Sequence, residues 1–307
     1  HTIPGTMLWA GPVQTGTGGN RRASPRGGRC PHKATADLLT LVAGGCELAS
    51  IVGSGADRVL VVGHRGAEAL APENTWPSFL MGYEAGADLL ELDVQLSRDG
   101  QAIVFHDFTL GPKFGDPRWV RDLTWDELSG LDVGNWFAPA FAGERIPRFA
   151  DVLEWARGRV PLWVDLKHGF AGPQDDSLEV VAQDLIDGAG MNDQVVISSW
   201  DQVALARIKA RRPELPLAVN LRQRVPDPVA QVAQAGVQWV VVYWPQVDRR
   251  DVARLKQAGL LVCLAGLFTA EYAEAVRLGV DAVTAEDPIA ARMALSRTQM
   301  EHKPVDE

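Results

Sequence analysis

The sequence predicts an α/β chain folded as a (β/α)8, or TIM, barrel with an irregular insertion after its second or third strand. Three observations carry that prediction. Short apolar runs rich in β-branched residues recur from residue 59 onward, separated by amphipathic segments. Most of these runs lack apolar/polar alternation, as do parallel strands buried on both faces. The later runs begin about every 20–23 residues, the length of one strand, one helix and two short loops. The alternating region covers residues 59–296, or 238 positions, close to the ~250 of an eight-fold barrel. A doubly wound open sheet is the second reading, but no Gly-x-Gly-x-x-Gly turn follows the first strand.

Residues 1–58 read as an N-terminal extension. The first 35 have no apolar period, are rich in Gly, Pro and Arg, and begin with His1; they are expected to be a tail, vector remnant or unprocessed leader. Residues 36–53 are better patterned and suit a short helix covering one end of the domain. Ala43-Gly44-Gly45-Cys46 loosely matches a bacterial lipoprotein signal, but Asp37 interrupts its apolar stretch. Strands are expected at Val59–Gly63, Leu89–Gln95, Ala102–His106, Pro161–Leu166, Gln194–Ser198, Leu215–Val219, Gln238–Val242, Leu260–Leu264 and Asp281–Thr284. These are nine runs for eight places. Arg98-Asp99-Gly100 joins the second and third as a hairpin turn would, so one of that pair is an accessory strand.

Residues 107–147 form the longest irregular insertion, and loops of that length are usually functional. Its tryptophans Trp119, Trp125 and Trp136 suit either a lid or a small satellite core. Helices are expected over Leu178–Ala189, Gln202–Arg211, Val229–Ala235, Arg249–Gln257 and Glu271–Arg277, stopped by Gly188, Gly236, Gly259 and Gly279. Residues 297–307 read as a C-terminal tail.

Composition excludes several classes. With 307 residues, 46% hydrophobic and 22% charged, the chain is neither disordered nor a coiled coil. Thirty basic residues against 39 acidic ones leave a net charge of −9, which argues against a nucleic-acid partner. The asymmetry is larger than that figure suggests, because residues 1–58 carry +3 and the remainder −12. No apolar run reaches the ~18–20 residues of a membrane span. Cys30, Cys46 and Cys263 show neither metal-ligand nor redox spacing, and with no clean leader the expected compartment is the cytoplasm.

The chemistry gathers at strand ends. The first strand runs into His64-Arg65-Gly66, followed by Pro72-Glu73-Asn74-Thr75, where Asn74 or Thr75 would cap a helix with Pro77 in its first turn. Glu91 and Asp93 share one face of the second strand, opposite Leu90, Leu92 and Val94. The third run ends in His106-Asp107, with Asp107 either orienting His106 or capping a loop. Asp165 and Lys167 share one face of the next, and His168 points away from it. Buried like charges such as Glu91 and Asp93 call for a cation. An oxygen-rich donor set favours one hard divalent ion, Ca²⁺ or Mg²⁺, over zinc. Two histidines titrating near neutrality offer proton transfer, and Arg65 and Lys167 suit a phosphate anion.

These pieces, with Asp99-Gly100, Ile197-Ser198-Ser199-Trp200 and Gly279-Val280-Asp281, resemble the glycerophosphodiester phosphodiesterases over roughly residues 59–290. That is a family of metal-dependent barrel enzymes related in mechanism to phosphoinositide phospholipases. The resemblance implies that Glu73, Glu91, Asp93 and Asp165 hold the metal, that His64 and His106 are the acid/base pair, and that Arg65 and Lys167 grip the phosphate. It leaves Trp200 as a pocket wall or a packing residue. The chain departs from the family pattern in Asp165 for Glu, in Leu264-Ala265 for Trp-Thr, and in Thr284-Ala285-Glu286 for Thr-Asp. These departures bear on substrate identity more than on reaction type.

The implied function is hydrolysis of glycerophosphodiesters to glycerol 3-phosphate and an alcohol. The route is either direct attack by water or a cyclic phosphate that water opens. Lysophospholipase D activity on the same scaffold is one alternative. A non-catalytic barrel that binds phosphodiesters is another, against which the histidine pair argues.

Overall fold

The computed structural model describes residue 48 and residues 58–168, 175–221, 223–233 and 235–301. Expectations for residues 1–47 and 49–57, including Cys30 and Cys46, lie outside the described residues. Nine strands form among the described residues: β1 (Leu60–Gly63), β2 (Leu89–Leu96), β3 (Ala102–Val104), β4 (Leu162–Leu166), β5 (Val195–Ser199), β6 (Leu217–Leu221), β7 (Trp239–Tyr243), β8 (Leu261–Ala265) and β9 (Ala282–Ala285). All but β3 run parallel in one sheet, which β1 closes by pairing with both β2 and β9. The barrel is therefore eight-stranded. The accessory strand is β3, antiparallel to β2 and outside the ring. It is shorter than expected, because His106 and Asp107 have already left the ladder.

Helices follow the strands: α1 (Trp76–Glu84), α2 (Phe149–Ala156), α3 (Ser177–Ala189), α4 (Gln202–Arg211), α5 (Pro228–Val232), α6 (Arg249–Gln257), α7 (Tyr272–Leu278) and α8 (Pro288–Glu301). The Asp201, Asp227 and Asp248 carboxylates accept backbone N–H groups at the starts of α4, α5 and α6, which fixes where those helices begin. Two terminal expectations change. Gly188 lies inside α3, and the left-handed stop is Gly190. Residues 297–301, read as tail, continue α8. Among the described residues no helix is long and apolar enough to cross a membrane.

The alternation within β2 divides two cores. Leu90, Leu92 and Val94 face outward into the layer between sheet and helices. The inward residues of the strands, including Leu60, Val62, Leu89, Trp163, Trp239 and Cys263, fill the barrel with the buried Leu48 among them. The Trp163 and Trp239 rings meet edge-on at 5.3 Å. Along β2 the inward series runs Leu89, Glu91, Asp93, and along β4 Trp163, Asp165, with Asp93 and Asp165 in register. The barrel interior thus changes from apolar to charged midway up its axis. That change places the carboxylates at the C-terminal mouth, above a dry floor.

The insertion folds around its own apolar centre. Leu110, Val120, Leu123, Leu128, Val133 and Ile146 pack against Ile103 and Phe105, with Trp125 beside them. A satellite core, one of the two sequence expectations, has formed. Trp136 stands 43% exposed.

Candidate active site at the barrel mouth

The turn after β1 is built by close backbone contact. A Cβ on Gly63 would lie 2.2 Å from the Gly66 carbonyl, and one on Gly82 of α1 would lie 2.6 Å from the same oxygen. Only glycine lets α1 approach this loop so closely. Ser78 of α1 locks the loop, its hydroxyl accepting from the Ala67 N–H (2.8 Å) and donating to the Arg65 carbonyl (2.7 Å). Arg65 itself takes φ +47°, a left-handed conformation rare for a side-chain-bearing residue. In it the Arg65 N–H donates to Glu91 Oε2 at 2.8 Å. The strained backbone is therefore held by a carboxylate of the site.

Asn74 and Thr75 do not cap α1 with their side chains. The Thr75 hydroxyl donates to the Pro72 carbonyl. Asn74, at φ +57° and buried, donates from Nδ2 to Asp93 Oδ2 (2.8 Å) and accepts from the Asp93 N–H (3.2 Å). The Pro-Glu-Asn-Thr segment is a clamp on β2.

A cavity of about 230 Å³ opens at the mouth. His64, Arg65, Glu91, Asp93, His106, Asp165, Lys167 and Trp200 all line it, together with Ser198, Asn220 and Glu286. Of the expected metal ligands, histidine pair, phosphate-binding residues and pocket wall, Glu73 alone lies outside this lining. Its two oxygens are taken by Arg65 Nη1 (2.7 Å) and Lys113 Nζ (2.9 Å). The four carboxylates expected around one ion therefore do not close on a single point. Glu91, Asp93 and Asp165 share the cavity, with Lys167 Nζ 3.4 Å from Asp93 and 3.5 Å from Asp165. Asp165 Oδ1 also accepts from Ser198 Oγ and Asn220 Nδ2, each at 2.9 Å.

Both histidines are oriented in the same way. His64 Nδ1 lies 2.6 Å from Glu68 and His106 Nδ1 3.0 Å from Asp107. His64 Nε2 is 4.0 Å from Glu91. Asp107 Oδ2 accepts from Lys113 at 2.5 Å, so one chain of contacts runs His106–Asp107–Lys113–Glu73–Arg65–Asp93–Lys167–Asp165. Sequence reasoning missed Glu68, Lys113 and Asn220. The i, i+4 spacing of His64 and Glu68 was a usable signal for the first. Lys113 carried none, because its reach depends on the path of the insertion.

The departures from the family pattern sort by face. Leu264 and Ala285 point into the outer core, so their identity touches packing and not the mouth. Ala265, Thr284 and Glu286 line the cavity. His168 turns away from the mouth, as expected, with Nε2 2.8 Å from Glu179 Oε2.

Electrostatics mark this cavity as unbalanced. Burial and the nearby Asp93 charge push the Glu91 carboxyl up to about 8. Burial likewise raises Asp165, against the pull of Lys167. Burial would raise Asp93 too, but Lys167, His106 and Arg65 outweigh it and hold it at about 2. Burial works to lower His64, yet the Glu68 hydrogen bond and the Glu91 charge carry it up to about 9. Glu91, Asp93 and Asp165 form a buried, all-oxygen donor set in which burial raises Glu91 and Asp165, and a hard divalent cation would relieve their repulsion. The second mark is on the cationic side. Arg65 Nε is buried, makes no hydrogen bond and stands 3.4 Å from Asp93 Oδ2, so its charge is paired with the carboxylates of the cavity.

The family described as glycerophosphoryl diester phosphodiesterases matches residues 64–290. The chain belongs to that family. Its enzyme class is accordingly phosphodiesterase, and the family is one that generally depends on a divalent metal. A glycerophosphodiester phosphodiesterase of Caldanaerobacter subterraneus is 28% identical over 236 residues, covering 75% of this chain and 95% of its own. The YhdW protein of Bacillus subtilis is 34% identical over 162 residues, covering 53% of this chain; the match spans 65% of that relative's length. Among solved structures, an Oleispira antarctica phosphodiesterase in complex with the product sn-glycerol-3-phosphate superposes with a TM-score of 0.72. It is 23% identical, and the match covers 78% of this chain and 97% of its own.

Proposed function

We propose that this protein hydrolyses glycerophosphodiesters to glycerol 3-phosphate and an alcohol, with His64 and His106 as the proton-transfer pair. The observation that carries the proposal is the pair itself. Two imidazoles line one carboxylate-rich cavity, each with Nδ1 on its own carboxylate, which leaves Nε2 as the atom that exchanges protons. A binding protein needs cations for a phosphate but has no use for such a couple.

Glu91, Asp93 and Asp165 would hold the divalent ion, Ca²⁺ or Mg²⁺. When bound, the ion supplies charge neutralisation at the phosphoryl oxygens and lowers the pKa of a coordinated hydroxyl or water. We assign Glu73 to holding Arg65 in place, because both of its oxygens face cations. Arg65 and Lys167, both lining the cavity, orient the phosphate and stabilise charge that develops on it. One histidine accepts the proton of the attacking hydroxyl, from water or from the substrate's own glycerol. The other gives its Nε2 proton to the departing alcohol. Trp200, stacked 5.5 Å from Tyr243, forms a wall of the cavity.

The test is release of glycerol 3-phosphate from glycerophosphocholine, with and without chelator, and in His64→Ala and His106→Ala. The expected result is loss of turnover by at least ~10²-fold in each case. Undiminished turnover after confirmed metal removal, or in both variants, would overturn the reading.

A further inference from the structure

We propose that a second cavity, of about 130 Å³ and sharing Lys167 with the catalytic mouth, receives the alcohol half of the diester and selects an uncharged, largely aliphatic alcohol. The proposal rests on the hydrolase reading and adds the identity of the leaving group. Lys167 lines both cavities. A phosphate on its ammonium therefore has one ester arm beside each. The mouth offers Ser198, Asn220 and Glu286, a polar lining that suits glycerol hydroxyls. The second cavity offers Leu96, Phe108, Trp119 and Leu178.

The polar groups around the second cavity are already engaged. Gln95 Nε2 donates to the carbonyls of Phe105 (2.7 Å) and Asp107 (3.0 Å). His168 is held against Glu179. The Arg121 guanidinium lies 4.9 Å from the Trp119 ring centre, over the face that a quaternary ammonium would need. Arg121 and Lys167 bring two positive charges to the walls, against the single carboxylate of Asp175. A choline-like cation would meet that field unfavourably, and the apolar walls favour methylene groups. In the reaction, an oxygen bonds to phosphorus, the bond from phosphorus to the alcohol oxygen breaks, and that oxygen takes a proton.

The experiment measures kcat/KM of the full chain with added Mg²⁺ or Ca²⁺ on glycerol 3-phosphate esters of methanol, ethanol, butanol and hexanol, and on glycerophosphocholine. The expected result is a rise of about three-fold per added methylene until the cavity is filled, with the butyl ester preferred over the choline ester. Ser177→Phe, at an exposed residue that narrows the cavity, should lower the hexyl-to-methyl ratio at least five-fold. Trp119→Ala, which removes a wall, should flatten the series. Turnover of the methyl ester with no chain-length dependence, or an unchanged ratio in Ser177→Phe, would overturn the proposal. If no ester is turned over, the hydrolase reading fails instead. Calorimetric binding of methyl to hexyl phosphates then decides on the cavity: affinity rising with chain length supports it, and a flat series overturns it.

Discussion

Lys113 reaches out of the insertion to sit 2.5 Å from Asp107 and 2.9 Å from Glu73, joining the partner of His106 to the partner of Arg65. Its side chain is almost fully enclosed and its ammonium lies over the rings of Phe105 and Trp136. The consequence is that His106 and Arg65 share one support. Lys113→Ala should lower kcat/KM by about 10- to 100-fold, the usual cost of losing an orienting partner. Lys113→Arg should recover most of the loss. Steady-state kinetics together with unchanged far-UV circular dichroism would check both statements.

Glu91 and Asp93 crowd two like charges on one strand face. Glu91→Gln keeps an oxygen to accept the Arg65 N–H while removing a carboxyl whose ionisation burial and Asp93 oppose. The expected outcome is a protein about 1 kcal/mol more stable in chelator. The same variant should lose the rise in Tm that Ca²⁺ or Mg²⁺ gives the wild type, a rise set by ligand concentration relative to Kd. Thermal unfolding with and without the ion reads both effects.

The close approach at Gly82 gives a backbone test. Gly82→Ala would drive a methyl to 2.6 Å from the Gly66 carbonyl, a backbone atom with no rotamer to turn aside. A loss of about 2–3 kcal/mol is expected from overpacking, measured by urea unfolding. Activity should fall too, because the displaced loop carries His64 and Arg65.

Asp88 supplies the pH dependence of stability. Its carboxylate accepts from Arg58 (2.6 and 2.8 Å), from Arg292 (2.8 Å) and from the Val61 N–H (2.8 Å). Burial would raise its pKa, but these partners hold it below the usual carboxylate value. A group depressed in the folded state stabilises fully above its unfolded pKa, ~4, and loses that contribution as pH falls through the folded value. Stability should therefore be flat on this account at neutral pH and decline below about pH 4. Asp88→Asn should cost about 2 kcal/mol at pH 7, the partly exposed arginines moderating the loss. It should also flatten part of the acid limb in denaturant titrations from pH 7 to pH 2.5.

Strand spacing and turn residues made most of this barrel readable. The apolar runs were buried on both faces, so their lack of alternation was itself a signature. The inward placement of Glu91, Asp93 and Asp165 followed from two-residue spacing alone. Other features depended on contacts between distant segments. Asn74 looked like a helix cap because Asx side chains usually serve that way, and the register of β2 beside the loop was needed to show it holding Asp93. Glu73 was expected as a metal ligand, and only the path of residues 107–113 shows that Lys113 also reaches it, at 2.9 Å. The helix stop at Gly188 was misplaced by two residues because both Gly188 and Gly190 suit a terminus, and only the latter takes φ +65°.

The insertion hangs from the barrel by a short antiparallel strand and is filled by its own side chains. Such an appendage can be exchanged or resized without disturbing the hydrogen-bonded ring beneath it. Since it supplies Phe108 and Trp119 to the second cavity, and Lys113 to Glu73 and Asp107 beside the first, replacing it would reshape those walls while the carboxylate bed stays where the strands put it. Grafting between related barrels, with selectivity as the readout, is the engineering route this anatomy opens.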